Sequence, residues 1–178
     1  MELIDPISQY RLRACRESDA PAIYKAAIES IDHVSPWMPW LTPSYSLEDA
    51  IKWTRSAEID RKAESRFEFI IIDSVTGDLC GVCGLNQINS EDRVCNLGYW
   101  VRRSKLRQGA ASAAARMLRD FGLKGRELER LETVVAEGNT ASRKVAEKVG
   151  ALYEGIQRKR LRVGEQSYDA HMYAFISP

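Results

Sequence analysis

The stretch with the clearest chemical capacity is Asn96–Arg116, NLGYWVRRSKLRQGAASAAAR. An apolar run, Val94–Val101, passes through Leu97-Gly98-Tyr99-Trp100 into a loop carrying Arg102, Arg103, Lys105 and Arg107. That loop ends at Gln108-Gly109-Ala110-Ala111, where an alanine-rich helix opens. The first turn of a helix presents unpaired N–H groups and a partial positive charge, which suits phosphate. Arginine and lysine add full charges, and Gly109 with its alanines lets the backbone approach a ligand closely. The pattern is that of a pyrophosphate cradle at the end of a strand. An ordinary solvated basic loop at a strand–helix junction has the same composition. No Gly-Lys-Ser/Thr and no GxGxxG is present, so the commonest nucleotide loops are excluded.

The flanking elements follow from periodicity and punctuation. Tyr10–Cys15 alternates as a first strand, and Ser18 and Asp19 cap a helix with Ala20, Ile23, Tyr24, Ala27, Ile28 and Ile31 on one face. Ser35–Pro43 holds three prolines and two tryptophans in nine residues, a rigid loop that either folds onto the core or walls a ligand pocket. Ser46 caps a second helix, with Ala50, Trp53 and Ala57 as its stripe. Phe67–Asp73 and Leu79–Ile88 read as a hairpin turning at Thr76-Gly77-Asp78, and Val94–Val101 completes a meander. A helix over 108–121, a strand over 131–136 and a helix over 139–149 capped by Asn139 come next. Two last strands, 153–163 and 167–176, turn at Gly164-Glu165. This order predicts an α/β (α+β) domain over 1–178, with a mixed, mostly antiparallel sheet of about seven strands and about four helices.

Composition narrows the partners. The chain has 178 residues, 26 Lys+Arg against 25 Asp+Glu, and a net charge of +1, so it has no global basic field for nucleic acid or an anionic membrane. The start, MELIDPISQYRLR, has no signal-peptide core and no run approaches a membrane span, which points to the cytoplasm. Of the four cysteines, Cys80 and Cys83 have the spacing of a metal or redox pair, but no second pair follows. They read as free thiols on opposite faces of one strand, and no metal is assigned.

With the loop and element order together, the chain resembles the GNAT N-acetyltransferases, and within them the RimJ/RimL type that acts on ribosomal-protein N-termini. Leu106-Arg107-Gln108-Gly109-Ala110-Ala111 matches the glycine and final small residue of the family's Q/R-x-x-G-x-G/A loop, with Leu106 at its first position. Asn139, Ser142, Lys148 and Gly150 fit N-x-x-A/S-x-x-x-Y-x-K-x-G-F, but Ala146 stands at the tyrosine and Ala151 at the phenylalanine. Leu97-Gly98-Tyr99-Trp100, Arg130-Leu-Glu132, Tyr153-Glu-Gly155 and Ser35–Trp40 look like the same subgroup.

The resemblance implies a GNAT-like domain whose splayed central strands form an acetyl-CoA cleft. It implies acetyl transfer to a primary amine by direct attack, with Ser142 replacing the missing tyrosine as donor to the departing sulfur. Asn139 would cap its helix and contact the pantetheine arm. Gly98 would mark a bulge that aims backbone N–H groups at the thioester. Leu97, Tyr99, Trp100, Val101, Arg102, Arg107, Gln108, Gly109, Ala110, Ala111 and Asn139 would hold acetyl-CoA, and His33, Trp37 and Trp40 would line the acceptor pocket.

No general base stands out; Glu29, Asp32 and Glu137 are the acidic candidates, each also readable as a surface carboxylate. A protein α-amine is the first expectation for the acceptor. A small amine is the second, for which Glu29, Asp32, Glu48 and Asp49 offer the only acidic mouth, and a non-catalytic acyl-CoA-binding module the third. Exposed aromatic surface at Trp37 and Trp40 suggests a homodimer.

Overall fold

In the computed structural model, which describes residues 1–177, the chain opens with β1 (Glu2–Ile4) and β2 (Tyr10–Ala14), followed by α1 (Ala20–Glu29), α2 (Ile31–Val34) and α3 (Leu47–Lys62). The meander β3 (Phe67–Asp73), β4 (Leu79–Asn89) and β5 (Val94–Val101) leads into α4 (Ala110–Asp120), β6 (Arg130–Ala136), α5 (Thr140–Lys148), β7 (Leu152–Val163) and β8 (Gln166–Ile176). The strands form one sheet in the order β1-β2-β3-β4-β5-β6-β8-β7.

Every neighbouring pair is antiparallel except β5 and β6. Those two pair only between Val94–Asn96 and Arg130–Glu132. Beyond that point β5 stays on β4 as far as Val101, and β6 stays on β8 as far as Ala136. Each strand keeps its outer ladder and gives up the inner one, so a wedge opens in the middle of the sheet. The expected splay is therefore present.

Alternation along the strands sorts the two faces. Phe69, Ile71, Leu85 and Leu97 point to the side covered by α4, where Ala113, Ala114 and Leu118 pack against them. Ile70, Ile72, Val82 and Trp100 point to the side covered by α1 and α3, against Ile23, Ala27 and Ala57. The small residues of α4 bring that helix close to the sheet. β3 is buried along its whole length, which is why its sequence lacks a polar face.

Several details depart from the sequence expectation. There is an eighth strand, β1, on the outer edge of β2. The first helix breaks at Ser30, whose hydroxyl bonds the Ala26 carbonyl at 2.6 Å, so Ile31–Val34 forms a fifth helix. α4 begins at Ala110 because Gly109 has φ 89°, outside the helical range. Cys80 and Cys83 do not face opposite ways: the β3–β4 register slips between Ile71 and Ile72, and both thiols join the core under α4. All four cysteines are free and buried. Among the described residues no helix is long and apolar enough to cross a membrane, and no group of three His, Cys, Asp or Glu gathers to hold a metal.

Candidate active site

The wedge between β5 and β6 opens into a cavity of about 740 Å³. One wall is the turn before α4. Arg107 and Gly109 both have positive φ, 60° and 89°, and this pair of left-handed residues turns the chain into the helix. The Gln108 carbonyl between them accepts from Tyr10 Oη at 3.0 Å, tying the turn to β2. The first bond of α4 is Ala113 N–H to the Gly109 carbonyl, so the N–H groups of Ala110, Ala111 and Ser112 have no partner within the helix. Ala110, Ala111 and Ser112 line the cavity with Gly109 and Arg107. Three unpaired donors, a glycine turn and room for a long ligand fit a pyrophosphate.

The basic loop contributes less free charge than its sequence suggests. Arg102 pairs with Glu29 at 2.6 Å, Arg103 with Asp32 at 2.7 Å and Lys105 with Asp78 at 2.6 Å. Glu29 also accepts from Ser104 N–H at 2.9 Å. Burial pushes the Glu29 carboxyl up, but Ser104 and Arg102 outweigh it and hold it at about 2. Glu29 is thus a clamp for the loop, permanently ionised and ill suited to accept a proton at neutral pH. Arg107 is in no ion pair among the described residues and remains the loop's open cation. Lys144 and Lys148, one turn apart on α5, add two more to the cavity wall.

Opposite the turn, Asn139 caps α5, its Oδ1 accepting from Ser142 N–H at 3.1 Å. Asn139, Ser142 and Tyr99 line the cavity together. Tyr99 Oη lies 3.2 Å from Ser142 Oγ and 3.2 Å from the Ser142 carbonyl. Burial raises the Tyr99 phenol to about 12 against the lowering effect of Ser142, so it stays protonated. The phenol has one proton to give; donated to Ser142 Oγ rather than to the carbonyl, it leaves the serine's own proton free to point into the cavity.

On the α1/α3 face lies a second cavity of about 620 Å³. Its walls are aromatic: Trp40, Tyr45, Trp53 and Trp100. Trp40 rests against Tyr45 at 5.3 Å and Trp100 at 5.9 Å between ring centroids. Its floor is the sheet itself, at Gly84 and Gly98. Glu68, Gly84 and Gly98 are direct partners across β3, β4 and β5, so they form one row. Strand spacing puts the two ends of that row about 10 Å apart. A Cβ on Gly84 would sit 2.3 Å from a Glu68 carboxylate oxygen, so the carboxyl lies over Gly84. A Cβ on Gly98 would meet only Asn96 Nδ2, at 3.7 Å. Met38, Tyr99 and Trp100 line both cavities, which therefore meet at β5 beside the splay.

The site residues read from the sequence divide between these spaces. Tyr99, Trp100, Val101, Arg107, Gly109, Ala110, Ala111, Asn139 and Ser142 line the first, as do His33 and Trp37. His33 and Trp37 thus stand in the same cavity as the turn before α4, apart from Trp40; His33 Nε2 bonds the Val101 carbonyl at 3.0 Å. Trp40 and Gly98 line the second. Leu97 is buried in the core, and neither Arg102 nor Gln108 reaches a cavity wall.

The bulge expected at Gly98 is not there. The β4–β5 register runs unbroken from Gly81/Val101 to Asn86/Asn96 and slips only between Asn86 and Asn89, where Gln87 has φ 51°. Of the acidic mouth, Glu29 and Asp32 hold the loop and Glu48 pairs with Lys52, whereas Asp49, bonded to Ser46 at the start of α3, lines the second cavity. Of the two tryptophans read as exposed aromatic surface, Trp40 is exposed even with its aromatic neighbours in place, and Trp37 is half-buried near Gly138.

Sequence reasoning missed Glu68 and Lys144, and named Lys148 only as part of the family signature. The lysines were findable, as an i, i+4 pair on a helix already drawn. Glu68 was visible only as a carboxylate inside the otherwise apolar run Phe67–Ile72.

Comparison with known proteins gives the site its context. The Acetyltransferase (GNAT) domain family matches residues 9–152. YdaF of Bacillus subtilis (strain 168), provisionally named a ribosomal N-acetyltransferase, is 33% identical over 100 residues. That match spans 56% of this chain and 55% of YdaF, about half of its length. The ribosomal-protein-serine acetyltransferase of Escherichia coli (strain K12) is 23% identical over 175 residues, covering 98% of this chain and 97% of the relative. Among solved structures, RimL, a ribosomal L7/L12 α-N-protein acetyltransferase in complex with coenzyme A, superposes with a TM-score of 0.91 at 21% identity, over 99% of this chain and 98% of RimL.

Proposed function

The chain belongs to the GNAT acetyltransferase family, whose co-substrate is acetyl-CoA, and from that premise we propose that it acetylates the N-terminal α-amine of a protein, a ribosomal protein first among the candidates. The attack is direct, within a ternary complex. One observation carries this reading: two separate cavities, one backed by a helix N-terminus and one walled by aromatics, meet at Tyr99 and Trp100. Donor and acceptor enter from opposite faces of the sheet and share a border on β5.

Each residue's task follows from its place. The unpaired N–H groups of Ala110, Ala111 and Ser112, with Arg107, Lys144 and Lys148, bind the pyrophosphate end of acetyl-CoA. The inner edge of β5 beyond Asn96 has lost its ladder to β6, so backbone N–H groups there are free to bond the pantetheine arm and the thioester oxygen. A well-placed donor at that oxygen contributes about 3 kcal/mol to the barrier reduction. Ser142, fixed by its N–H on Asn139 and by Tyr99 Oη donating to its Oγ, turns its own proton toward the departing sulfur. Trp40, Tyr45 and Trp53 hold the first residue of the acceptor. An α-amine of pKa about 8 is partly neutral at physiological pH, whereas an alkyl amine of about 10 is nearly all charged. The names of YdaF and of the Escherichia coli relative support a ribosomal acceptor. Of the acidic mouth only Asp49 lines the second cavity, which weakens the support for a polyamine.

The test is CoA thiol release from acetyl-CoA with peptides bearing free Ser, Ala or Met N-termini, beside spermidine, an amino sugar and free amino acids. Release with a peptide, abolished when its α-amine is blocked, is the expected result. Release with the small amines alone would overturn the reading.

A further inference from the structure

We propose that Glu68 is the proton acceptor for the attacking amine, taking its ammonium proton across the bare floor of Gly84 and Gly98. This rests on the acetyl-transfer reading above, but not on which amine is the acceptor. Glu68 is a carboxylate inside the apolar run Phe67–Ile72 of β3, whose other members are all buried; Asp73, at the far end of the strand, is tied up by Gln9 and the turn at Val75. The Glu68 side chain is in no ion pair among the described residues. A buried carboxylate without a cation is costly, and such groups concentrate where they have chemistry to do.

The geometry shows what that chemistry is. The carboxyl lies over Gly84, and the next residue in the row is Gly98, on the strand that borders the donor cavity. No side chain stands between them. From above Gly84 to the Gly98 backbone is about one strand spacing, roughly 5 Å, which leaves room for one amine nitrogen in contact with both. The Asn86 side chain lies near the carboxyl and favours its charged form, and Asn86 Oδ1 accepts from Asn96 Nδ2 at 3.0 Å. Glu68 is buried and lines the cavity.

The titratable groups around it leave the role to Glu68. Arg66 is taken by Asp60 at 2.7 Å and by Ser56, and Asp49 is taken by its Ser46 cap. Cys15 and Cys83 are thiols raised by burial, and Tyr45 and Tyr99 are phenols raised to about 12. Burial pushes Glu68 up to about 8, against the opposing pull of Arg66. That matches a peptide α-amine, so the proton passes between them at little cost.

The protons balance. One leaves the ammonium nitrogen for Glu68, and the freed lone pair forms the C–N bond as the C–S bond breaks. The second N–H proton goes to the departing thiolate, and Glu68 returns its own to solvent.

Glu68→Gln tests this, because glutamine has the shape of the protonated acid and keeps the Asn86 contact within reach. At pH 7, where about one in ten α-amines of pKa 8 is already neutral, kcat/KM for a peptide is expected to fall about 10-fold, and for an alkyl amine of pKa about 10 by about 100-fold or more. The KM for acetyl-CoA stays within twofold. The deficit shrinks as pH rises past the pKa of the amine, since a neutral amine needs no base. At any one pH the deficit is larger for an alkyl amine than for an α-amine. A variant that keeps wild-type kcat and pH profile, or one whose deficit is the same at every pH, would overturn the proposal. Glu68→Asp, one methylene shorter, is expected to regain part of the rate. A silent peptide arm beside an active small-amine arm would instead overturn the choice of acceptor and leave Glu68 to be judged on the small amine.

Discussion

The two cavities are built in different ways. The donor side is made of runs: 105–112 supplies the turn and helix start, and 139–148 the capped helix opposite. Most of its polar contacts come from backbone, so its identity is carried by loop shape and glycine placement. The acceptor side is assembled from pieces far apart in the chain, one residue each from α1 and β3, two from α3, three each from β5 and the Pro-Trp loop and four from β4. Its identity lies in which side chains meet. The contrast teaches that a co-substrate common to a family is bound by a local motif, whereas the acceptor is chosen by residues far apart in the chain.

A charge placed in the donor turn should separate the two sides most strongly. Ala111→Glu puts a carboxylate where the cradle expects phosphate, a like-charge contact worth about 3 kcal/mol or more. Titration calorimetry should show CoA affinity falling about 100-fold, with the melting temperature of the free protein nearly unchanged. Retained affinity would remove the cradle from this site.

The glycine row gives the complementary experiment. Gly98→Ala adds a methyl in open space above β5, with only Asn96 Nδ2 near at 3.7 Å. Stability should hold, CoA affinity should stay within twofold, and kcat/KM for the amine should drop roughly 30-fold from misplacement of the acceptor. Gly84→Ala has the opposite profile. Its Cβ would meet the Phe67 carbonyl at 2.6 Å as well as the Glu68 carboxyl, so about 1–3 kcal/mol of stability should be lost in denaturant melts. Equal stability losses at the two positions would contradict the picture of an open floor.

Ser142→Ala sits on the border. Loss of one hydrogen bond to a developing thiolate should lower kcat about 10-fold, with binding of both substrates preserved. Unchanged turnover would assign Ser142 to the helix alone.

The last effect is read in stability against pH rather than in rate. Glu68 titrates near 8 in the folded chain against an ordinary value of 4.5, so between those values the folded state holds the extra proton. Its contribution is fully present below 4.5 and is lost as pH rises through 8. Glutamine does not titrate. The unfolding free energy of Glu68→Gln minus that of the wild type, from denaturant melts, should therefore widen from pH 4.5 to 8, by on the order of a few kcal/mol. A difference flat across that range would mean that Glu68 is ionised throughout.

How much of this was legible follows the same division. The meander, the α4 turn at Gly109 and the Asn139 cap each depend on a few neighbouring residues, and local stereochemistry decides them. The sequence by itself therefore determined the element order, the phosphate turn, the Ser142 helix and the kinship with GNAT enzymes. Other features depended on pairing between distant strands. The neutralisation of Arg102, Arg103 and Lys105 needed α1 and the β3–β4 turn to come beside the loop. The slip that turns Cys80 and Cys83 to one side needed the β3–β4 register. The row of Glu68, Gly84 and Gly98 spans thirty residues of chain yet one line across three strands. Register is set by the whole sheet rather than by any segment of it, so only the tertiary structure could decide which carboxylate faces the amine.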